Sequence, residues 1–180
     1  MNSKTQIVIL GLLSEHPLSG YDIKKLIDIR FRFFWNESYG QIYPTLKKMV
    51  ASKYIQALPI IDSKRSKQHY EITPLGRLTL QAWQDEKPEK ESIRIELLLK
   101  IYFGSGRDPQ TLIEFIKAFQ SNHHQDLMIL NAFKKELSSI PDPFQHHQNI
   151  LSVIEFGVKT NTAYLDWCQE TLHNLEVNHD

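Results

Sequence analysis

Apolar residues recur at helical spacing through most of this chain, and the breaks between the stripes are sharp. Ile7, Leu10 and Leu13 form a first stripe, preceded by Ser3 with Gln6 three residues on, the pattern of a helix-capping box. His16-Pro17 stops that helix, because a proline ring lacks the N–H and collides with the preceding turn. Ser19-Gly20-Tyr21-Asp22 offers a second cap, followed by Ile23, Leu26, Ile27, Phe33 and Phe34. Ser38 to Gln41 offers a third. At about 100° per residue, Ile42, Leu46, Met49 and Val50 share one side of the third helix. Gly40, Pro44, Lys47 and Ala51 share the other, with Lys48 on the flank. Pro44 lies deep for a helix capped at Ser38, so the pattern predicts a later start or a bend.

Alternation then replaces helical spacing. Residues 55–61 and 67–72 read as two strands: Leu58 and Ile60 alternate in the first, and Tyr70 and Ile72 oppose His69 and Glu71 in the second. Between them, residues 62–67 form a polar turn that carries Lys64, Arg65 and Lys67 and no apolar side chain. Three helices followed by a hairpin is the order of a winged helix-turn-helix. The third helix, small at one end of its outer face and cationic further along, suits the major groove of DNA, where a helix fits and base edges are readable. Taken alone, that helix reads equally as an amphipathic helix with solvated lysines. The cationic hairpin tip favours DNA, since Lys and Arg are drawn to phosphates and to the minor groove.

Three more helices are expected beyond residue 88, at about 92–103, 109–138 and 144–177. Gly104-Ser105-Gly106 and Pro141-Asp142-Pro143 separate them. The last has a heptad seam: Leu151, Val158, Leu165 and Leu172 recur every seven residues, and Ile154, Asn161, Cys168 and Leu175 follow three positions later. Such a seam favours pairing with a long helix, either of a second chain or of this chain's own middle helix. Asn161 fixes the register in both cases. The middle helix has a seam of its own, interrupted at His123 and Asp126. With Phe119 one turn before, these two mark a candidate effector site that could also answer to pH. The plainer interpretation is a solvent-filled gap or a satisfied buried pair.

The 180 residues carry no net charge, but the charge is unevenly placed. Residues 1–87 hold 13 Lys+Arg against 8 Asp+Glu, and residues 88–180 hold 8 against 13. A basic half joined to an acidic half can orient on a polyanion. The boundary between a DNA-binding domain (1–87) and a helical dimerisation and effector domain (88–180) falls in the proline-broken charged stretch 85–91. No run approaches the roughly 18 apolar residues of a membrane span, and no signal-peptide pattern opens the chain. The lone Cys168 fits a reducing cytoplasm rather than a disulfide framework. An enzyme finds no support. The adjacent pairs His123-His124 and His146-His147 lack the spacing that converges on a metal, no phosphate-binding glycine loop is present, and Cys168 sits at a seam position. No cofactor is expected.

Three segments together resemble the PadR-type transcriptional regulators: Leu10-Gly11-Leu12-Leu13 through Pro17-Leu18-Ser19-Gly20-Tyr21-Asp22-Ile23, then Gly40-Gln41-Ile42-Tyr43-Pro44-Thr45-Leu46, then Tyr70-Glu71-Ile72-Thr73 with Gly76-Arg77. The resemblance spans about the first 80 residues. It departs in the wing, where Gln68-His69 precede Tyr70 in place of the family's basic residue. The resemblance implies a mostly α fold, with three helices and a β-hairpin wing joined to an all-helical C-terminal dimerisation domain. It implies a homodimer on an inverted-repeat operator, most often repressing, and relieved by a phenolic or hydrophobic small molecule. Carried onto matching positions, it implies DNA contacts at Tyr21, Gln41, Tyr43, Pro44 and Lys47, with Ser19 and Gly20 touching phosphate. Ser38, Lys48 and the wing residues Lys64, Arg65 and Lys67 complete the expected surface. A winged helix that binds only other proteins is the competing function.

Overall fold

Each helix of the N-terminal half begins at a capping side chain. In the computed structural model, which describes residues 3–59, 67–104, 106, 108–141 and 147–177, α1 (Lys4–Glu15) starts where Ser3 Oγ accepts from the Gln6 N–H at 3.3 Å. α2 (Gly20–Arg30) starts at a reciprocal box. The Asp22 N–H donates to Ser19 Oγ at 3.2 Å, and the Ser19 N–H donates to Asp22 Oδ2 at 3.3 Å. α3 (Tyr39–Ala51) begins just after Ser38 and runs through Pro44 without a later start. The Gly40 carbonyl, which has no donor at Pro44, is at the exposed face, where water can reach it.

These helices and a small sheet enclose one core. Ile7, Leu10 and Leu13 of α1, Ile23 and Ile27 of α2, and Ile42, Leu46 and Met49 of α3 are buried together with Ile55 and Ile72. Each fully buried aliphatic chain of this size contributes about 1.5–3 kcal/mol. The sheet has the order β1-β3-β2, all antiparallel, with β1 Leu18–Ser19, β2 Ile55–Ala57 and β3 His69–Ile72. Ile55 pairs with Ile72 and Ala57 with Tyr70, which puts the two isoleucines on the core face. The first expected strand is regular only to Ala57, although the Leu58 N–H still donates to the His69 carbonyl at 2.9 Å. Ile60, Lys64 and Arg65 lie outside the described residues.

Two elements differ from the sequence expectation. β1 joins the turn after α1 to the wing through Leu18↔Tyr70 and Ser19↔His69; a two-residue strand has no alternation to read. A fourth helix, α4 (Pro74–Gln84), follows the wing, so the described residues of the N-terminal unit form four helices and not three. Thr73 caps it, accepting from the Gly76 N–H at 3.1 Å, and Pro74 occupies the first turn, where it costs nothing. Gly76 is required there by close approach, since a Cβ would lie 2.2 Å from the Tyr54 carbonyl oxygen.

The chain divides into two units, Met1–Lys90 and Glu91–Asp180. The second contains α5 (Glu96–Tyr102), α6 (Pro109–Ser139) and α7 (His147–Val177). α5 starts later than residue 92, after Ile95, with no side chain capping it. α6 starts at Asp108, whose Oδ1 accepts from the Gln110 N–H at 3.1 Å. α6 and α7 pack antiparallel: His123 meets Asn161, and Lys134 pairs with Glu155. At about 1.5 Å per residue each helix is roughly 46 Å long.

The heptad seam of α7 packs within the chain, one of the two arrangements that its periodicity allows. Ile154, Asn161, Leu165 and Cys168 are buried against Ile113, Ile116 and Leu130 of the same chain's unit, and burial raises the Cys168 thiol above its ordinary pKa. Leu151, Val158, Leu172 and Leu175 are half-buried at the seam edges. A periodic stripe reports that a helix is covered, and here the covering helix is α6. Exposed apolar side chains lie elsewhere, among them Leu99, Tyr102 and Phe103 in or just after α5, and Ile150, Val153 and Phe156 on the outer face of α7.

Candidate nucleic-acid interface

The capping boxes do more than start helices; they decide which polar atoms remain available. Ser19 is buried, and its hydroxyl donates to Asp22 Oδ2 at 2.5 Å. Gly20 is buried too, because the Tyr43 ring occupies the space a side chain would need: a Cβ would lie 2.7 Å from Tyr43 Cε1. Ser19 and Gly20, the residues expected to touch phosphate, thus have their side-chain positions taken up inside the unit. They hold the α2 terminus against α3 and leave Tyr21, which is exposed, as the outward side chain.

α3 presents Ser38, Gln41, Tyr43, Pro44, Lys47 and Lys48 to solvent on the side away from Ile42, Leu46 and Met49, with Tyr43 on the flank facing α2. Gln41 commits one end of its amide to the α3 cap. Its Oε1 accepts from the Ser38 N–H at 2.9 Å and from the Ser38 hydroxyl at 3.0 Å. A two-pronged contact with adenine needs both ends of the amide, and in this cap Oε1 is held by Ser38. Gln41 can donate to a base edge, but it cannot pair bidentately without releasing the cap.

The base of the wing is tied to α2. Lys67 Nζ stands 3.7 Å above the Tyr21 ring and 3.9 Å from Asp22 Oδ1, and His69 Nε2 lies 4.0 Å from Asp22 Oδ2. Asp22 is held below the ordinary carboxylate range, first by the Ser19 hydroxyl and then, against the cost of burial, by the Ser19 N–H, Lys67 and His69. Lys67 is thus engaged with an aromatic face and a carboxylate, where the sequence expectation gave it a phosphate. In β3 the phenol of Tyr70 is raised by burial and by its neighbour Tyr43.

Two side chains escaped the sequence reading. Tyr39, half-exposed at the first position of α3, stacks on Tyr43 with ring centroids 6.2 Å apart and 18° between planes. Lys24 of α2 bonds Asp28 and lies 5.7 Å from the Tyr39 ring. The available signal was the four-residue spacing of the tyrosines, which places them on one helix face. Beneath them, the Trp35 indole donates to the buried Glu37 at 3.0 Å and fixes the connection into α3.

The candidate effector residues lie in the second unit. Phe119 and His123 of α6 meet edge to face with ring centroids 4.2 Å apart, His123 lies 4.7 Å from the Tyr164 ring, and Phe119 lies 6.0 Å from the Trp167 ring. His123 Nδ1 is 2.7 Å from Asn161 Oδ1, while Asn161 Nδ2 donates to the Gly157 carbonyl at 2.8 Å. With the amide so oriented, the imidazole hydrogen is on Nδ1. Asp126 is half-buried one turn further along α6.

Comparison with known proteins agrees with this architecture. Residues 9–82 match the PadR-like transcriptional regulator family, and residues 93–176 match the C-terminal region of virulence activator alpha. The negative transcriptional regulator PadR of Bacillus subtilis is 28% identical over 177 residues, covering 93% of this chain and 95% of its own. The crystal structure of the PadR-like regulator BC1756 from Bacillus cereus aligns with a TM-score of 0.81 at 26% identity, over 97% of this chain and 99% of that one. Bacillus subtilis PadR in complex with operator DNA aligns at 0.78 and 28% identity, over 93% and 96%. The same protein in complex with p-coumaric acid aligns at 0.70 and 24%, over 98% and 99%. These relatives are transcriptional regulators and not enzymes. Residues 9–82 accordingly carry a PadR-like transcriptional regulator family domain, in a chain that shares the PadR fold of a winged helix-turn-helix with a helical C-terminal region.

Proposed function

We propose that this protein is a cytoplasmic homodimeric repressor, that it reads an inverted-repeat operator, and that a small aromatic acid releases it. The observation that carries the reading is the outer face of α3, where Gln41, Pro44, Lys47 and Lys48 stand exposed. A cationic helix face with small residues at its leading end enters a major groove and holds the phosphates on either side. Repression and the phenolic class of effector are supported by the Bacillus subtilis relative, a negative regulator solved with operator DNA and with p-coumaric acid. In this chain the aromatic cluster of Phe119, His123 and Tyr164 offers ring faces to an aromatic acid, and the His123 Nε2 offers an acceptor to its phenolic hydroxyl. Pairing of two chains is assigned to the exposed faces of α5 and α7, with Leu151, Val158, Leu172 and Leu175 at their margin. Apolar patches of this kind on a soluble domain mark contact surfaces. The domain boundary is placed in the charged stretch around residues 85–91.

Selection from a pool of random duplexes, followed by mobility shifts at rising salt, tests the reading. The expected result is an enriched inverted repeat with half-sites about one helical turn apart, bound less tightly as salt rises and released by p-coumaric acid. A pool with no enrichment would leave the winged helix as a protein-binding module. Enrichment without release would remove the effector alone.

A further inference from the structure

We propose that Tyr39 and Tyr43 act as one aromatic pair that reads thymine through its C5 methyl group, an inference that rests on the DNA-binding reading above. Tyr39 and Tyr43 are 46% and 45% exposed, a large apolar area to leave uncovered on the helix that presents the lysines. Their rings lie nearly parallel and stack side by side on one flank of the helix. Both ends of the stack are held. On one side the Tyr43 ring fills the space left by the absent side chain of Gly20. On the other the Lys24 ammonium faces the Tyr39 ring while it is bonded to Asp28. Cation–π contact fixes a ring face without adding a free charge, because Asp28 offsets the lysine.

A pair positioned in this way fits an apolar partner better than a phosphate. A phosphate contact needs one phenolic hydroxyl and no second ring. In the major groove the thymine methyl is the apolar feature that base edges offer, and side chains read it by contact. Tyr39 also occupies the first position of α3, and recognition helices bring their N-terminal residues to the bases.

The test uses the duplex enriched by the full-length protein, with each thymine replaced in turn by deoxyuridine, which lacks only the methyl group. For the natural sequence, at least one thymine in each half-site is expected to lose about fourfold in affinity on replacement, the ratio that one methyl group withdrawn from water is worth. Tyr39→Ala should bind the thymine and deoxyuridine duplexes alike, and Tyr39→Phe should keep the discrimination. A deoxyuridine series without any loss would overturn the proposal. So would a Tyr39→Phe protein weakened equally on every duplex, since the hydroxyl would then be holding phosphate. Thermal melts of both variants check that the exposed substitution leaves the unit folded. If no duplex is enriched at all, DNA reading itself fails, and that result is distinct from enrichment with indifference to the methyl.

Discussion

Gln41 shows how a residue can be recognised from sequence while the use of its atoms cannot. Its position on α3 follows from helical spacing, and its place three residues after Ser38 marks it as half of a cap. That the same side chain cannot serve the cap and also pair bidentately with adenine emerges only from the 2.9 Å and 3.0 Å contacts to Ser38. The two roles can be separated by substitution. Gln41→Glu retains an acceptor for Ser38 and places a negative charge at a helix N-terminus, so stability should change by less than about 0.5 kcal/mol. The amide donor is lost, and preference among operator variants should fall. Gln41→Ala removes the cap as well and should cost about 1 kcal/mol. Thermal melts and competition binding measure the two effects independently. Ser19 carries the same lesson: its cap was legible, but it is buried in a strand whose partner, His69, is distant in sequence.

The wing is the element for which charge and geometry diverge. Three cations in a short polar turn predict three phosphate contacts, yet Lys67 is held by Tyr21 and Asp22 at the root of β3. Neutralising Lys64 and Arg65 should shallow the slope of log affinity against log salt by about 2, at roughly 0.9 per lost phosphate contact. Adding Lys67→Met should lower affinity further by loosening the wing from α2, while the slope stays where it was. A slope that falls by one more step would show that Lys67 reaches the backbone after all. Helix starts were readable because Ser, Thr and Asp caps act within three residues. α4 went unread although Thr73-Pro74 mark its start and Leu75 and Leu78 keep helical spacing; those two leucines face solvent, while Gly76 and Leu80 turn to the core. β1 escaped because its two residues are defined by their partners in β3.

The two units differ in how well each is filled. The N-terminal unit has a continuous core, whereas the described residues of α6 and α7 bury Ile113, Ile116, Leu130, Ile154, Leu165 and Cys168 along two helices of 31 residues each. Periodicity identified the buried stripe of α7 and was silent on which chain covers it, since a heptad describes one helix and not its neighbour. The substitutions therefore sort differently from a simple zipper. Leu165→Asp sets a charge inside the α6–α7 pair and should cost about 3 kcal/mol or more, seen as an early loss of helical signal on heating. Phe156→Asp alters a residue that is 62% exposed and should leave the helices intact while shifting sedimentation from dimer to monomer. A Leu165→Asp protein that stays folded but monomeric would return the seam to the dimer interface. A thinly filled helix pair with an apolar exterior has a further consequence. If a second chain supplies the missing cover, folding of this half and pairing become one mass-action equilibrium. Melting temperature would then climb with protein concentration. Repression would set in over a narrow range of copy number, because dilution removes both heads from the operator together.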